Sequence, residues 1–214
     1  MTTLGDDFLR LCIAFNSSLT FPSLANIGNY FLYQCTDFDH TFKFPAITTI
    51  GNYFLAGCTK YSRTTSLSTV TTVGNYFMSG DYMHNNHIYL GNATTIGDYF
   101  LYNCSSFSTT LTISKVQVIG SHFMDGCIRY NTYLTIPSTV TSIGIYFMYN
   151  CKALTSAIQM GADASVAATS NYTLATNDSS AASYTTGITI SGSYASNWKS
   201  RFPNRTSTPY RKIL

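Results

Sequence analysis

Glutamate is absent from this chain of 214 residues; all nine acids are aspartate, and charged residues make up only 10% of the sequence. Exposed helices draw heavily on Glu and Lys, so this scarcity argues against a bundle of long helices. Long apolar runs are missing too. None reaches the roughly 18 residues that a membrane span needs, so no membrane insertion is expected. Asp6, Asp7 and Arg10 interrupt the apolar residues near the start, and no signal peptide is visible. The net charge of +3 is too small to point to nucleic acid. No phosphate loop and no Ser/His/Asp grouping is found, so neither a catalytic residue nor a cofactor is expected. The chain is instead 45% apolar and 15% aromatic, and rich in Thr, Ser, Tyr and Phe. Those residues favour strands and turns around a real core.

One stretch recurs along the chain: LGDDFLRLC, IGNYFLYQC, IGNYFLAGC, VGNYFMSGD, IGDYFLYNC, IGSHFMDGC and IGIYFMYNC. Its glycines are Gly5, Gly28, Gly51, Gly74, Gly97, Gly120 and Gly144, spaced by 23 residues five times and then by 24. Before each later Gly lies a short alternating segment such as Leu19-Thr20-Phe21, Leu111-Thr112-Ile113 or Leu134-Thr135-Ile136, the pattern of a half-buried strand. Ile158-Gln159-Met160 extends the series, and Ile188-Thr189-Ile190 has the same form. After each Gly, apolar residues stand three, four and seven places on, which predicts one face of a short helix. One strand and one helical turn per period is the plan of a leucine-rich-repeat solenoid.

The stretch LTIPSTVTSIGIYFMYNCKAL, residues 134–154, resembles the BspA-like leucine-rich repeat of bacterial surface antigens, and the resemblance covers about residues 4–160. One departure stands out: the small-then-large pair of that family is replaced by Phe followed by Leu or Met. The expected fold is an α/β solenoid, a right-handed coil with a parallel sheet on one face and short helical turns on the other. Residues 1–160 form seven repeats, 161–187 an Ala/Ser/Thr-rich crossing loop, and 188–214 a closing strand, a cap helix around Trp198 and a basic tail. That tail, with Arg205, Arg211 and Lys212, reads as a solvated cap.

The register assigns Phe31, Phe54, Phe77, Phe100, Phe123 and Phe147 to the core. Cys12, Cys35, Cys58, Cys104, Cys127 and Cys151 all stand seven places after a Gly, so they form a file of buried, reduced thiols. A linear file neither converges on zinc nor brings Cα atoms close enough for disulfides, so no metal site is expected. The fourth repeat departs from the pattern. Asp81 replaces the Cys and His84 the aromatic three places on, and with His87 they spell D-x-x-H-x-x-H. That spacing is compatible with metal, but the simpler expectation is a loosened coil that turns Asp81 and His84 to solvent and buries Tyr82 or Met83.

Two outward surfaces are candidates for binding. On the strand face, a ribbon of eight strands about 34 Å long, the candidates are Lys43, His87, Tyr89, Thr112, Tyr133 and Thr135. A convex stripe of Tyr30, Tyr53, Tyr76, Tyr99 and Tyr146, two places after the Gly, is the rival. The first coil is expected to lack a cap, leaving Phe8, Leu9, Cys12 and Phe15 at an open end for a protein partner or for self-association. The expected function is a non-catalytic scaffold for protein–protein interaction, a structural or decorating subunit of a larger assembly such as a phage virion or tail. What the family resemblance implies is the alternative: a surface adhesion module that binds a host protein or a glycan.

Overall fold

The computed structural model describes residues 1–154, 157–161 and 189–191. The crossing loop, cap helix and basic tail therefore lie outside the described residues, apart from the closing strand. Strands come in pairs along the chain: β1 Thr3–Leu4, β2 Leu19–Thr20, β3 Asn26–Ile27, β4 Phe42–Lys43, β5 Thr49–Ile50, β6 Thr65–Ser66, β7 Thr72–Val73 and β8 Ile88–Tyr89. They continue as β9 Thr95–Ile96, β10 Leu111–Thr112, β11 Val118–Ile119, β12 Leu134–Ile136, β13 Ser142–Ile143, β14 Ala157–Met160 and β15 Thr189–Ser191. The odd-numbered strands from β1 to β13, which end just before each Gly, stack into one parallel sheet of seven. The chain is thus a parallel solenoid of seven coils. Each coil runs from one repeat Gly to the residue before the next, coil 1 starting at Gly5 and coil 4 at Gly74.

This sheet was not expected, because two-residue strands ending in Ile-Gly leave no alternating pattern to read. The expected strand face exists, but not as one ribbon. Its strands form three parallel ladders, β2–β4, β6–β8–β10 and β12–β14–β15, interrupted between coils 2 and 3 and between coils 5 and 6.

The helical side is a correction, since none of the described residues forms a helix. Beyond each Gly, every second residue is left-handed: Tyr30 at φ 61°, Leu32 at 53° and Gln34 at 54° in coil 2, with the same three positions in every other coil. Left-handed geometry costs a non-glycine residue about 1–2 kcal/mol. Hydrogen bonding explains why it is adopted. A helix would direct each N–H back along its own axis, whereas alternating hands swing successive N–H groups to the neighbouring coils. Tyr30 N–H donates to the Asn52 carbonyl of the next coil, Leu32 N–H to Phe8 of the previous one, and Gln34 N–H to Ala56 of the next, at 2.8–3.0 Å. The three-, four- and seven-residue spacing fits this ladder as well as it fits a helix, because Phe31, Leu32 and Cys35 are all buried. The third left-handed position reads Leu11, Gln34, Gly57, Gly80, Asn103, Gly126 and Asn150. Gly and Asn there are the residues that tolerate this geometry best.

Side chains bind coil to coil in further files. Asp6 Oδ1 accepts the Asn29 N–H, and the same bond runs from Asn29 to Asn52, Asn52 to Asn75, Asn75 to Asp98 and Asp98 to Ser121, at 2.7–2.9 Å. Inside, the phenylalanines from Phe8 to Phe147 stack at 5.1–5.5 Å. Full burial of each interior ring contributes about 2–3 kcal/mol.

The repeat glycines serve closeness rather than an unusual φ. A Cβ on Gly74 would lie 2.5 Å from the Gly51 carbonyl carbon and 2.8 Å from the Asn52 nitrogen. Gly5, which has no coil on that side, would meet nothing within 4 Å.

Candidate functional site

The cysteine file decides whether the chain carries reactive thiol chemistry. Cys35, Cys58, Cys104, Cys127 and Cys151 are buried and free. Each Sγ donates to a carbonyl of the preceding coil, from Cys35 to Leu9 at 2.8 Å through Cys151 to Met124 at 3.2 Å. Burial pushes the Cys35 thiol up to about 11 and the Cys58, Cys104 and Cys127 thiols well above the ordinary range. These groups are protonated donors, not nucleophiles. Cys12 departs from the expectation of burial: it is exposed.

The fourth repeat reverses the simpler expectation for its odd residues. Asp81 and His84 are fully buried, while Tyr82 and Met83 are exposed. The register of the stack explains this. Asp81 fills the thiol slot between Cys58 and Cys104, and His84 stacks between Tyr61 and Phe107 at 5.6 and 5.8 Å. Moving them outward would break both files. Neither carboxyl oxygen and neither ring nitrogen makes a hydrogen bond of good geometry, although the Cys58 and Gly57 backbones lie close to the Asp81 carboxyl. Burial raises the Asp81 carboxyl well above its usual range and lowers His84 to about 4, in each case favouring the neutral form. His87 lies apart on the exposed strand face. No cluster of three or more His, Cys or Asp side chains suited to a metal occurs among the described residues.

On the strand face, Lys43, His87, Tyr89, Tyr133 and Thr135 are exposed and Thr112 is half-buried. The structure brings His87 beside Tyr89, with ring centroids 6.0 Å apart, and Tyr89 in register with Thr112 of the next coil. Tyr133 and Thr135 stand one coil further, where Tyr133 Oη donates to Gln159 Oε1 at 2.6 Å. Lys43 lies across a ladder interruption from the rest.

The convex stripe is continuous. Tyr30, Tyr53, Tyr76 and Tyr99 stack face to face at 4.5–4.7 Å. His122, which falls outside the tyrosine pattern expected from the sequence, carries the stack on to Tyr146 at 4.4 and 4.5 Å. Its position two places after Gly120 was the available signal; only the change of residue type hid it. The His122 Nδ1 lies 2.7 Å from Asp125 Oδ2, and burial raises the Asp125 carboxyl. Tyr33 and Tyr102 pack edge-on against the stack, and the Arg10 guanidinium covers Tyr30 at 4.7 Å. All six stacked rings are half-buried. The stripe therefore tiles the coil edges and at the same time presents a fixed aromatic ridge.

Stacked parallel coils with one buried file per repeat position define a repeat solenoid of the leucine-rich class. Within that class the chain belongs to the family described as BspA type leucine-rich repeat region, matched in six copies over residues 1–108, 25–155 and 94–198. No curated protein and no solved structure matches it. Membership of this family points to a scaffold for protein interaction. No described helix is long and apolar enough to cross a membrane.

Proposed function

We propose that the chain is a non-catalytic interaction scaffold that acts as a structural or decorating subunit of a larger assembly, such as a phage virion or tail. The observation that carries this reading is the apolar end of coil 1, where Phe8, Leu9 and Phe15 are only partly buried and Cys12 is exposed. In coils 2 to 5 the matching ring positions are stacked between two neighbours. A further coil laid on the coil 1 face would bury its rings and take up the register of inter-coil hydrogen bonds.

Sedimentation velocity over a range of concentrations tests the reading. Association that grows with concentration, and is abolished by Cys12→Asp at a position buried in the other coils, is the expected result. A monomer at every concentration, with or without the substitution, would contradict it.

The aromatic stripe supports a second reading, a surface recognition module for a host protein or a glycan. Fixed, half-exposed Tyr rings supply contact area without loss of side-chain freedom on binding.

A further inference from the structure

The side chains of coils 4, 5 and 6 alternate in height on the strand side. Coil 4 carries Tyr82 at 53% exposure, Met83 at 60% and Tyr89 at 37%. Coil 6 carries Ile128 and Tyr133, the latter at 50%. Between them coil 5 has only small hydroxyl residues at the same repeat positions: Ser105 and Ser106 opposite Tyr82 and Met83, Thr110 opposite His87, and Thr112 opposite Tyr89. Ser105, Ser106 and Thr112 are half-buried, whereas the matching residues of coils 4 and 6 are exposed. Coil 5 is thus the floor of a trench that runs across the solenoid, with coils 4 and 6 as its walls.

The walls are fixed to the floor. Ser108 N–H donates to Asn85 Oδ1 at 2.9 Å, Asn131 N–H to Ser108 Oγ at 3.1 Å, and Thr132 Oγ1 to the Ser108 carbonyl at 2.8 Å. On the side away from the floor, Tyr133 is anchored through its hydroxyl to Gln159 of coil 7. With coils stacked at about 4.8 Å, the wall backbones stand about 9.6 Å apart, leaving room for one polymer chain a single ring wide.

We infer that this trench binds a neutral glycan chain. The lining selects the occupant. The floor is all hydroxyl, matching sugar hydroxyls, and the walls offer Tyr89 and Tyr133 rings for the apolar C–H faces of a pyranose. Floor residues 105–112 have no charged side chain, and Arg129 is the only cation of the coil 6 rim, so an acidic polymer finds no row of partners. An extended peptide would pair with the backbone, as along a sheet edge; what marks this trench is side-chain hydroxyls and ring faces instead. The inference goes beyond the recognition reading, since the trench lies on the strand face and not on the stripe; the assembly reading is independent of it.

The test uses the full chain, with amide chemical-shift mapping against the neutral hexasaccharides of glucose (β1,4 and α1,4), mannose and N-acetylglucosamine. A hyaluronan hexasaccharide and an uncharged nonapeptide serve as comparators. At least one neutral hexasaccharide is expected to shift amides of residues 82–89, 105–112 and 128–135. Tyr89→Ala or Tyr133→Ala should each weaken that binding about tenfold. Tyr133→Phe, which keeps the ring and drops the Gln159 bond, should retain most of it, and Val118→Ala on the exposed part of β11, in the seven-stranded sheet, should leave it unchanged. Shifts in the trench from the peptide or from hyaluronan alone would overturn the ligand class. A neutral hexasaccharide that shifts only the tyrosine stripe would sink the trench and leave the recognition reading standing. Absence of shifts from any probe would remove the trench proposal, and loss of protein binding on the stripe as well would remove the recognition reading.

Discussion

Replacing Gly74 by alanine is expected to cost about 4 kcal/mol or more, enough to abolish folding of a marginal domain. The added Cβ would fall 2.5 Å from the carbonyl carbon of Gly51 and 2.6 Å from its oxygen. Those are backbone atoms, so no rotamer change relieves the contact; coils 3 and 4 would have to separate. Separation lengthens a run of inter-coil bonds that includes Gly74 N–H to Ile50 and Asn75 N–H to Asn52 Oδ1, at 2.9 and 2.7 Å. The control lies within the same repeat position. Gly5→Ala meets open space, so a change within about 0.5 kcal/mol is expected. Urea denaturation of the two variants beside the parent chain makes the comparison. Equal stability of Gly74→Ala and Gly5→Ala would mean that the coils do not stack this closely.

Asp81→Cys is expected to stabilise the chain and to change its pH profile. The substitution restores the repeat residue in a slot whose other members donate a thiol to the carbonyl 26 or 27 residues back; for position 81 that carbonyl belongs to Leu55. Removing a buried carboxyl that makes no hydrogen bond of good geometry should yield about 2 kcal/mol or more at pH 7. The sign of the pH effect follows from proton uptake. The Asp81 carboxyl is raised by burial, so the folded chain binds a proton that the unfolded chain releases above about pH 4. Stability therefore falls as pH rises, by about 1.4 kcal/mol per unit, until the folded carboxyl ionises.

His84 acts the other way. Its folded value of about 4 lies below its ordinary 6.5, so stability rises with pH between about 4 and 6.5 at the same slope. In the parent chain the two slopes oppose each other between about pH 4 and 6.5; in Asp81→Cys the rise from His84 is expected without that opposition. Asp125, also raised by burial, adds a decline that both proteins share. Thermal melts at intervals from pH 5 to 8 would show the difference. A parent chain no less stable than the variant at pH 7 would contradict a costly buried carboxyl at Asp81.

What the sequence disclosed and what it hid divide along physical lines. A fixed period places equivalent residues in files whatever the backbone does, so the number of coils followed from the glycines alone. The hand of the backbone did not follow, because burial of Phe31, Leu32 and Cys35 is compatible with a helical turn and with alternating hands. Gly57, Gly80, Gly126, Asn103 and Asn150 at one repeat position were the legible trace of the left-handed residues. Asp81 and His84 were misplaced because polarity was weighed one residue at a time; the cost of breaking two stacked files outweighed it. His122 escaped notice in the stripe because residue type was read ahead of register. The trench over coil 5 needs relative heights on three successive coils, which composition along one coil does not reveal.

Thiol accessibility tests the central claim, that seven coils stack in register around continuous buried files, more directly than any other single measurement. With a maleimide under native conditions, one thiol per chain should react rapidly, the exposed Cys12. The five buried thiols should react only as the chain unfolds. Cys12→Ser should then leave no fast-reacting thiol. Rapid labelling of two or more cysteines in the folded parent chain would contradict the stack.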